Sequence, residues 1–302
     1  MNRAQEHRSA QHTGSIPVRV KLWRYQKERF PVILYALLIL LTLLTAGFDH
    51  LKSVSFDIIP AFLLFMLFFW RLRLFDEIKD YEQDLKWRPE RIVARGEITL
   101  PEIKTWLGVT VVLEIALLFF LPVNVVIWYA ATAFYSLLMF YEFFAHTWLN
   151  RHFIVYGLSH IVIMLPLAMA MRGVFIDPLY DETGLVLAGG ILGMSYVLET
   201  GRKLCREHEE QKGVETYSSR LGIIAAVLWL IAWIVITHVC FFLAIQSAQV
   251  WIAVTGVLMV LIVAIRVTLT NAPLRGFMEN LIGVYMLVFY AGVIGITIFN
   301  AS

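Results

Sequence analysis

Three aspartates, Asp76, Asp80 and Asp84, recur at every fourth position in the segment FDEIKDYEQDLKWRPERIVARG, residues 75–96. On an α-helix a step of four residues advances about 400°, so the three carboxylates lie one above another on one face over about 12 Å. Mg²⁺ binds one or two protein carboxylates and completes its shell with water and substrate phosphates. The spacing is therefore typical of a site for a metal–diphosphate complex, and a solvated helix end of mixed charge is the alternative interpretation.

A second charged segment, YVLETGRKLCREHEEQKGVETYSSRLG, occupies residues 196–222. Charged side chains recur here at short helical intervals, at Glu199, Lys203, Glu207 and Glu210. A helix that continues through these residues presents carboxylates and an ammonium group on one face. Lys203 and Arg202 are candidates for binding phosphate because both carry a positive charge. The alternative is a charged helix that contacts anionic lipid headgroups at the membrane surface.

The composition excludes a water-soluble globular protein. Hydrophobic residues make up 59% of the 302 residues, charged residues only 16%, and the mean hydropathy is +0.72. A membrane-spanning helix needs about 20 mostly apolar residues, and runs of that kind predict an all-α membrane protein with nine transmembrane helices. The predicted spans are approximately residues 31–48, 57–74, 103–121, 124–141, 153–172, 184–200, 222–243, 250–270 and 279–299. The two cysteines predict no disulfide framework.

The positive charges are distributed unevenly between the predicted loops. If the N-terminus lies on one side, all but Lys52 and Arg172 of the 25 lysines and arginines fall on that same side. Cytoplasmic loops are enriched in these residues, so the N-terminus and both charged segments are expected in the cytoplasm. The loops are too short to fold as domains, which usually begin near about 50 residues. The chain is expected to form a polar, basic arm at residues 1–30 and one transmembrane domain at 31–302.

Acidic segments after the second and the sixth of nine spans resemble the pattern of the UbiA superfamily of intramembrane prenyltransferases. The first motif of that family reads approximately N-D-x-x-D-x-x-x-D, followed by R-P-x-x-x-G. The stretch D-E-I-K-D-Y-E-Q-D is similar to its first part, and R-I-V-A-R-G at residues 91–96 is similar to its second. Asp76 stands where asparagine is usual, and Ile92 stands where proline is usual.

The second motif of the family, D-x-x-x-D followed by two glycines nine residues apart, is matched less closely. In one alignment Glu199 and Lys203 take the two acidic positions, whereas in another they are taken by Cys205 and Glu209. The sequence leaves both alignments open, and with them the number of metal ions. The glycines that keep the family spacing are Gly213 and Gly222.

The resemblance implies a nine-helix bundle in which two charged cytoplasmic loops cap a central cavity. It implies Mg²⁺ as cofactor and an isoprenoid diphosphate as substrate, whose isoprenoid group is transferred to an aromatic or other small or lipophilic acceptor with release of pyrophosphate. The expected metal ligands are Asp76, Asp80, Asp84, Glu199, Glu207 and Glu210. The expected diphosphate contacts are Arg91, Arg95, Arg202, Lys203 and Tyr196. The residues expected to be catalytic are Asp76, Asp80, Asp84, Arg91 and Lys203.

Three other activities remain alternatives. Two lie within the superfamily, namely phosphoribosyl transfer from a sugar diphosphate to a polyprenyl phosphate, and terpene cyclisation. The third is a non-catalytic lipid-binding or transport protein, although a pure transporter is expected to concentrate its ionisable groups near mid-membrane, whereas here they gather at one mouth. Glu114 and His160 are ionisable residues inside predicted spans, and for both a structural and a functional role are open. The expected surroundings are a lipid bilayer, specifically a bacterial inner membrane with the active site facing the cytoplasm, and no nucleic-acid partner is expected.

Overall fold

The computed structural model describes residues 16–53, 55–211 and 214–301. Over these residues the backbone is mainly helical and forms no β-strand. The α-helices are α1 Val18–Arg29, α2 Val32–Ala46, α3 Ile58–Lys79, α4 Tyr81–Trp87, α5 Leu100–Leu118, α6 Val123–Phe140, α7 His146–Arg151, α8 Phe153–Ile161, α9 Met164–Arg172, α10 Glu182–Arg202, α11 Tyr217–Leu221, α12 Ile223–Ala244, α13 Gln249–Leu269 and α14 Arg275–Ala301. Short 3₁₀ segments lie at Phe48–Ser53, Glu142–Phe144, Glu207–Glu209 and Gln246–Ala248. Gly213, on which the glycine spacing of the second motif depends, lies outside the described residues.

Seven helical segments are long and apolar enough to cross a membrane. They are Ile58–Lys79, Val123–Phe140, Phe153–Arg172, Glu182–Arg202, Ile223–Ala244, Gln246–Leu269 and Arg275–Asn300. Each of them corresponds to one of the predicted spans. The prediction of an all-α membrane fold is therefore confirmed at the level of seven candidate spans.

The two remaining predicted spans, residues 31–48 and 103–121, fall on α2 and α5. Helix α2 has 15 residues, which extend about 22 Å and fall short of the roughly 30 Å of a bilayer's hydrocarbon core. It follows α1 after a bend of 62°, and only the two helices together reach the length of a span. Helix α5 has 19 residues but carries Glu102, Lys104 and Glu114. Both segments are thus helical where helices were predicted, but neither qualifies as a span by length and composition.

Local sequence signals fix several helix ends. Before α5, the carboxylate of Glu102 accepts the backbone N–H of Thr99 at 2.9 Å, as in a capping box. At the start of α10, the Asp181 side chain accepts the N–H of Gly184 at 3.0 Å. Between α11 and α12, Gly222 has a φ of 78°, which glycine adopts without steric cost.

Helix α10 lies at the centre of the bundle. In its most apolar stretch 61% of the residues are buried, against 28–39% in the other six spans. Its glycines allow close neighbours, because a Cβ on Gly193 would overlap the side chain of Thr237 in α12, and one on Gly201 would overlap Ile282 in α14. Such small residues are typical of helix contacts in membranes. The last turn of α10 is thereby held firmly against its neighbours.

Helix α1, which forms part of the predicted polar arm, packs against the bundle. Tyr25 is fully buried in an apolar cluster with Leu74, Ile92 and Ile103. Ion pairs surround this contact, and they join Lys21 to Glu102 at 2.6 Å, Arg24 to Glu97 at 3.1 Å, Glu28 to Arg95 at 2.9 Å and Arg29 to Glu77 at 2.6 Å. Residues 18–29 are therefore part of the folded structure.

Candidate functional site

A cavity of about 350 Å³ lies among α2, α3, α6, α8, α9, α10 and α14. Four charged residues line one end of it, and we call them the mouth: Asp76, Lys79, Glu199 and Arg202. The rest of the wall is mainly apolar and includes Leu38, Leu72, Met139, Ile163 and Met286. The volume lies within the range of about 300–1,000 Å³ that is common for small-molecule sites. The cavity therefore offers a hydrocarbon-lined space that ends in opposite charges.

The mouth is built from the last turns of two helices. Asp76 and Lys79 lie at the end of α3, and Glu199 and Arg202 lie at the end of α10. The partial negative charge at a helix C-terminus favours the two cations at these positions. In both helices an apolar run passes directly into charged residues, and this is the pattern that marked both segments in the sequence.

The carboxylates of the mouth differ in how far they are occupied by ion pairs. Glu199 pairs with both Arg202, at 2.5 Å, and Lys203, at 2.7 Å, and its side chain is 20% exposed. Among the described residues, Asp76 pairs with Arg73 alone, at 3.3 Å, and its side chain is 46% exposed. Because Asp76 lines the cavity, this exposed surface faces the cavity. Asp76 is thus the carboxylate of the mouth that is more available to a ligand.

Asp80 lies at the break between α3 and α4. Its N–H donates to the Asp76 carbonyl at 2.8 Å, and the N–H of Asp84 donates to the Asp80 carbonyl at 2.8 Å, so the four-residue repeat continues through the break. The Asp80 side chain lines a second, polar cavity of about 660 Å³. Burial, together with the neighbouring carboxylates of Asp76 and Asp84, raises the pKa of Asp80 above its ordinary value.

Lys79 and Tyr156 separate the two cavities. Lys79 lines the first cavity, and its ammonium group donates a hydrogen bond of 3.1 Å to the hydroxyl of Tyr156, which lines the second. Glu142 Oε1 lies 3.6 Å from Lys79 Nζ and accepts a hydrogen bond of 3.4 Å from the Tyr156 hydroxyl. The backbone φ angles of Glu142, Phe143 and Phe144 are 47°, 53° and 55°, a left-handed conformation that is uncommon for residues with a side chain. Strained backbone of this kind clusters at functional sites.

Asp84 is bound within its own charged segment. It is 3% exposed, and its carboxylate lies 2.7 Å from Arg91 and 3.4 Å from Arg88. Arg95 extends toward α1, where it pairs with Glu28 at 2.9 Å. Of the residues that the structure describes around the first cavity, none is Asp84, Arg91 or Arg95. These three residues, which were expected to act with Asp76, therefore do not line the first cavity beside it.

The second charged segment does not continue as a helix. Because α10 ends at Arg202, Glu199 and Glu210 do not share one helix face. Glu207 is exposed, and the carboxylate of Glu210 accepts a hydrogen bond of 2.6 Å from the Thr216 hydroxyl. Neither Glu207 nor Glu210 lines the first or the second cavity in the described part of the chain.

The alternative alignment of the second motif also places no carboxylate at the mouth. Glu209 accepts the backbone N–H groups of Arg206 at 2.9 Å, Leu274 at 2.7 Å and Arg275 at 3.1 Å, which ties this segment to the start of α14. Although burial acts in the opposite direction, these bonds lower the pKa of Glu209. Cys205 is 1% exposed, and burial raises the pKa of its thiol to about 11. Both residues therefore contribute to the folded structure, Glu209 through its backbone hydrogen bonds and Cys205 through its burial.

Tyr196, expected to contact diphosphate, lies behind the cavity wall. Its side chain is fully buried. Its hydroxyl accepts hydrogen bonds from Tyr217 at 2.9 Å and from Trp229 Nε1 at 3.3 Å. These contacts join α10 to α11 and α12, and they occupy the group that was expected to reach the substrate.

A buried arginine that sequence reasoning did not single out lies next to the cavity. Arg71 is 3% exposed and donates to Glu114 at 2.9 Å and to Ser136 at 2.7 Å, and Ser136 itself lines the cavity. The available signal was an arginine inside the apolar run of α3. His160 also lines the cavity, and its Nδ1 lies 2.9 Å from the Tyr156 carbonyl. The two ionisable groups predicted inside spans thus have partners in neighbouring turns or helices.

The carboxylates fit a metal ion only in combination with a phosphate ligand. Among the residues that the structure describes, no three histidine, cysteine, aspartate or glutamate side chains converge as a metal site. Mg²⁺ needs fewer, since it commonly binds through one or two carboxylates and substrate phosphates. Asp76 and Asp80 are one helical turn apart along the chain, and their side chains line the first and the second cavity respectively. A Mg²⁺ ion held by these two carboxylates would need phosphate oxygens from a ligand to complete its shell.

No protein-family model, curated protein or solved structure matches this chain. The assignment of a function therefore depends on the residues of the two cavities.

Proposed function

We propose that the chain is a membrane-embedded prenyltransferase that moves an isoprenoid group from its diphosphate to a small or lipophilic acceptor and releases pyrophosphate. The observation that carries this proposal is the form of the first cavity, in which apolar walls end in a charged mouth. An isoprenoid diphosphate has the same two parts, a hydrocarbon tail and a polyanionic head. The resemblance of residues 76–84 and 91–96 to the first UbiA motif also supports it.

The proposed membrane arrangement follows from the charges. Helices α2 and α5 would complete nine spans with the seven apolar segments. The distribution of lysine and arginine supports a cytoplasmic N-terminus and a mouth that opens toward the cytoplasm. The diphosphate would then enter from the side on which charged metabolites are available.

The residues of the mouth, together with Asp80 and Lys203 of the second cavity, would bind and orient the diphosphate. Lys79, Arg202 and Lys203 would neutralise its oxygens and stabilise the negative charge that grows on pyrophosphate as the allylic C–O bond breaks. Asp76 and Asp80 would hold Mg²⁺, which when bound supplies a Lewis acid at the phosphate oxygens. The apolar wall would exclude water from the allylic cation until a carbon or oxygen of the acceptor attacks it and loses a proton. Arg91 and Asp84, expected from the motif to be catalytic, would instead support the segment that carries Asp80.

The test is release of pyrophosphate by the purified protein in detergent, with Mg²⁺ and a panel of prenyl diphosphates, with and without aromatic acceptors. Asp76→Asn should reduce release by at least about 100-fold, because it removes a ligand group from the reacting complex. Asp177→Asn is the matched control, since Asp177 is an exposed aspartate far from the mouth along the chain, and it should leave release unchanged. Full activity of Asp76→Asn, or no release from any donor, would contradict the proposal.

A carrier or binding protein for anionic lipids is the second candidate. The observation that favours it is that two cations, Lys79 and Arg202, line the mouth beside its carboxylates. Such a site can hold an anionic headgroup without metal. Tight binding of a prenyl diphosphate in the presence of EDTA, with no pyrophosphate release when Mg²⁺ is restored, would favour this candidate.

A further inference from the structure

The outer face of α1 carries cations that have no ion-pair partner among the described residues. Arg19, Trp23 and Lys27 recur at every fourth position, so they lie along one face of the helix. All three are exposed, Trp23 by 57%. The ammonium of Lys27 lies 5.3 Å from the centre of the Trp23 ring, which confirms that the two side chains are neighbours. We call these three residues the outer face of α1.

The opposite face of the same helix is fully engaged. Lys21, Arg24 and Arg29 each pair with a glutamate of the bundle, and Glu28 pairs with Arg95. Glu28 is the one acidic residue of α1. Its charge is thus occupied on the inner side, and the outer face keeps a positive charge.

An apolar groove of about 510 Å³ runs beside this outer face, where α1 meets α2 and α3. Its lining is apolar apart from Gln26, and it consists of Leu22, Trp23, Val32, Ile33, Leu67 and Trp70. Ile33 is 79% exposed, so the groove opens to the outside of the bundle. The 62° bend between α1 and α2 turns α1 away from the direction of the first apolar helix.

The aromatic residues place this groove near a membrane surface. Tryptophan and tyrosine are enriched at the boundary between headgroups and hydrocarbon. Trp70 and Trp106 stack at 6.3 Å, and Tyr25 of α1 contacts the edges of both rings. Helix α1 is bent away from the first apolar helix at this level and is rich in lysine and arginine, so its basic outer face is placed to meet lipid headgroups.

We propose that the groove and the outer face of α1 form a binding site for one anionic phospholipid. An acyl chain would lie along Leu22, Ile33 and Leu67, and the headgroup phosphate would be bound by Lys27 and Arg19. A net negative headgroup complements Lys27 and Arg19, which have no ion-pair partner in the described part of the chain, whereas the positive group of a zwitterionic lipid would be placed against them. The site is independent of the cavity and of the transferase proposal.

The test is the binding of phosphatidylglycerol and phosphatidylcholine of identical chains to the purified full-length protein, followed as retained lipid by native mass spectrometry. The unmodified protein should retain phosphatidylglycerol at lower concentration. The double variant Lys27→Ala with Arg19→Ala should weaken phosphatidylglycerol binding by about 10-fold or more, since each basic residue near an anionic surface contributes on the order of a fivefold effect. Lys27→Arg should retain most of the binding.

Two further variants separate a site from diffuse attraction. Lys104→Ala removes another exposed lysine, two residues from the Glu102 that pairs with Lys21 of α1, and should change binding by less than about twofold. Trp23→Ala should weaken the binding of both lipids, because it removes a wall of the groove. Equal affinity for the two lipids, or an effect of Lys104→Ala as large as that of the double variant Lys27→Ala with Arg19→Ala, would overturn the proposal. Melting temperatures of all variants should match the unmodified protein, because every changed side chain is exposed.

Discussion

Arginines and carboxylates form clusters at two ends of the bundle, and the clusters differ in what the charges face. At the end where α9 finishes and α10 begins, Arg172 is 2% exposed and binds Asp49 at 2.5 Å and 2.9 Å and Asp181 at 2.7 Å and 3.2 Å. At the other end, Asp76 and Arg202 line a cavity. The same groups thus close one end of the bundle and leave the other available to a ligand.

The difference teaches how to separate structural from functional ion pairs in a membrane protein. Arg172 also donates to the Ala46 carbonyl at 3.0 Å, so it joins the end of α2 to the turn at Asp49 and to the start of α10. Hydrogen bonds from Arg172 outweigh the opposing effect of burial and lower the pKa of Asp49. A cluster in which each group satisfies another has little capacity left for substrate.

The largest expected effect is on the closed cluster. Arg172→Met removes the cation and leaves two partly buried carboxylates side by side, which should lower the free energy of unfolding by about 3 kcal/mol. The measurement is thermal unfolding in detergent, followed by circular dichroism. Asp49→Asn, which keeps the Arg172–Asp181 pair, should cost less. An unchanged melting temperature for Arg172→Met would break the contrast between the two ends.

A smaller effect should divide two aspartates of the same repeat. Asp84→Asn should lower the free energy of unfolding by about 1.5–3 kcal/mol, because the charged hydrogen bonds from Arg88 and Arg91 are lost in a buried place. Asp76→Asn should leave the melting temperature nearly unchanged, since its side chain is 46% exposed to the cavity. The two variants are compared in one melting assay, and equal destabilisation by both would contradict the division.

The smallest effect concerns Asp80 and pH. Its folded-state pKa is raised above the ordinary value of about 3.9, so the folded protein holds this proton more strongly than the unfolded chain. Stability from this group is therefore present at low pH and is lost as pH rises from about 4 through the raised folded pKa. In Asp80→Asn, the melting temperature measured as a function of pH should no longer contain the decrease that comes from deprotonation of Asp80. Superimposable profiles of the two proteins would show that Asp80 does not titrate in this way.

Much of the fold could be predicted because apolar runs are a property of consecutive residues. The seven candidate spans, and the charged ends of α3 and α10, follow from such runs. At α2 the observed helix differs from the predicted span because of its length, since 15 helical residues do not cross a membrane alone. The packing of helix α1 against the bundle was harder to predict, because it depends on Tyr25 and on ion pairs with residues far along the chain.

The candidate site could be predicted only in part, because the sequence does not reveal the ion-pair partner of each charged residue. The repeat of Asp76, Asp80 and Asp84 is visible in the sequence, but spacing does not reveal that Arg88 and Arg91 bind the third carboxylate. The helix end after Arg202 likewise separates Glu199 from the acids that follow it.

Contacts between distant segments were beyond sequence patterns. Arg71 and Glu114 are 43 positions apart, and nothing in the periodicity of either helix joins them. The Tyr196 hydroxyl is occupied by Tyr217 and Trp229, which are 21 and 33 positions away. Such pairings depend on how helices pack, which a single sequence does not encode in its local pattern.

The left-handed turn at Glu142–Phe144 has a consequence for how the protein can change during evolution. The left-handed conformation raises the free energy of each residue with a side chain by roughly 1–2 kcal/mol, whereas glycine adopts it without this cost. Contacts must offset that cost: Glu142 with Lys79 and Tyr156, and the Phe143 ring with Tyr135 at 5.4 Å. Phe144 is 79% exposed, and its ring stacks on the exposed ring of Tyr141 at 5.6 Å. Glycine at position 144 would therefore remove one of these costs and stabilise the turn between the two cavities, while Glu142 would keep its contacts.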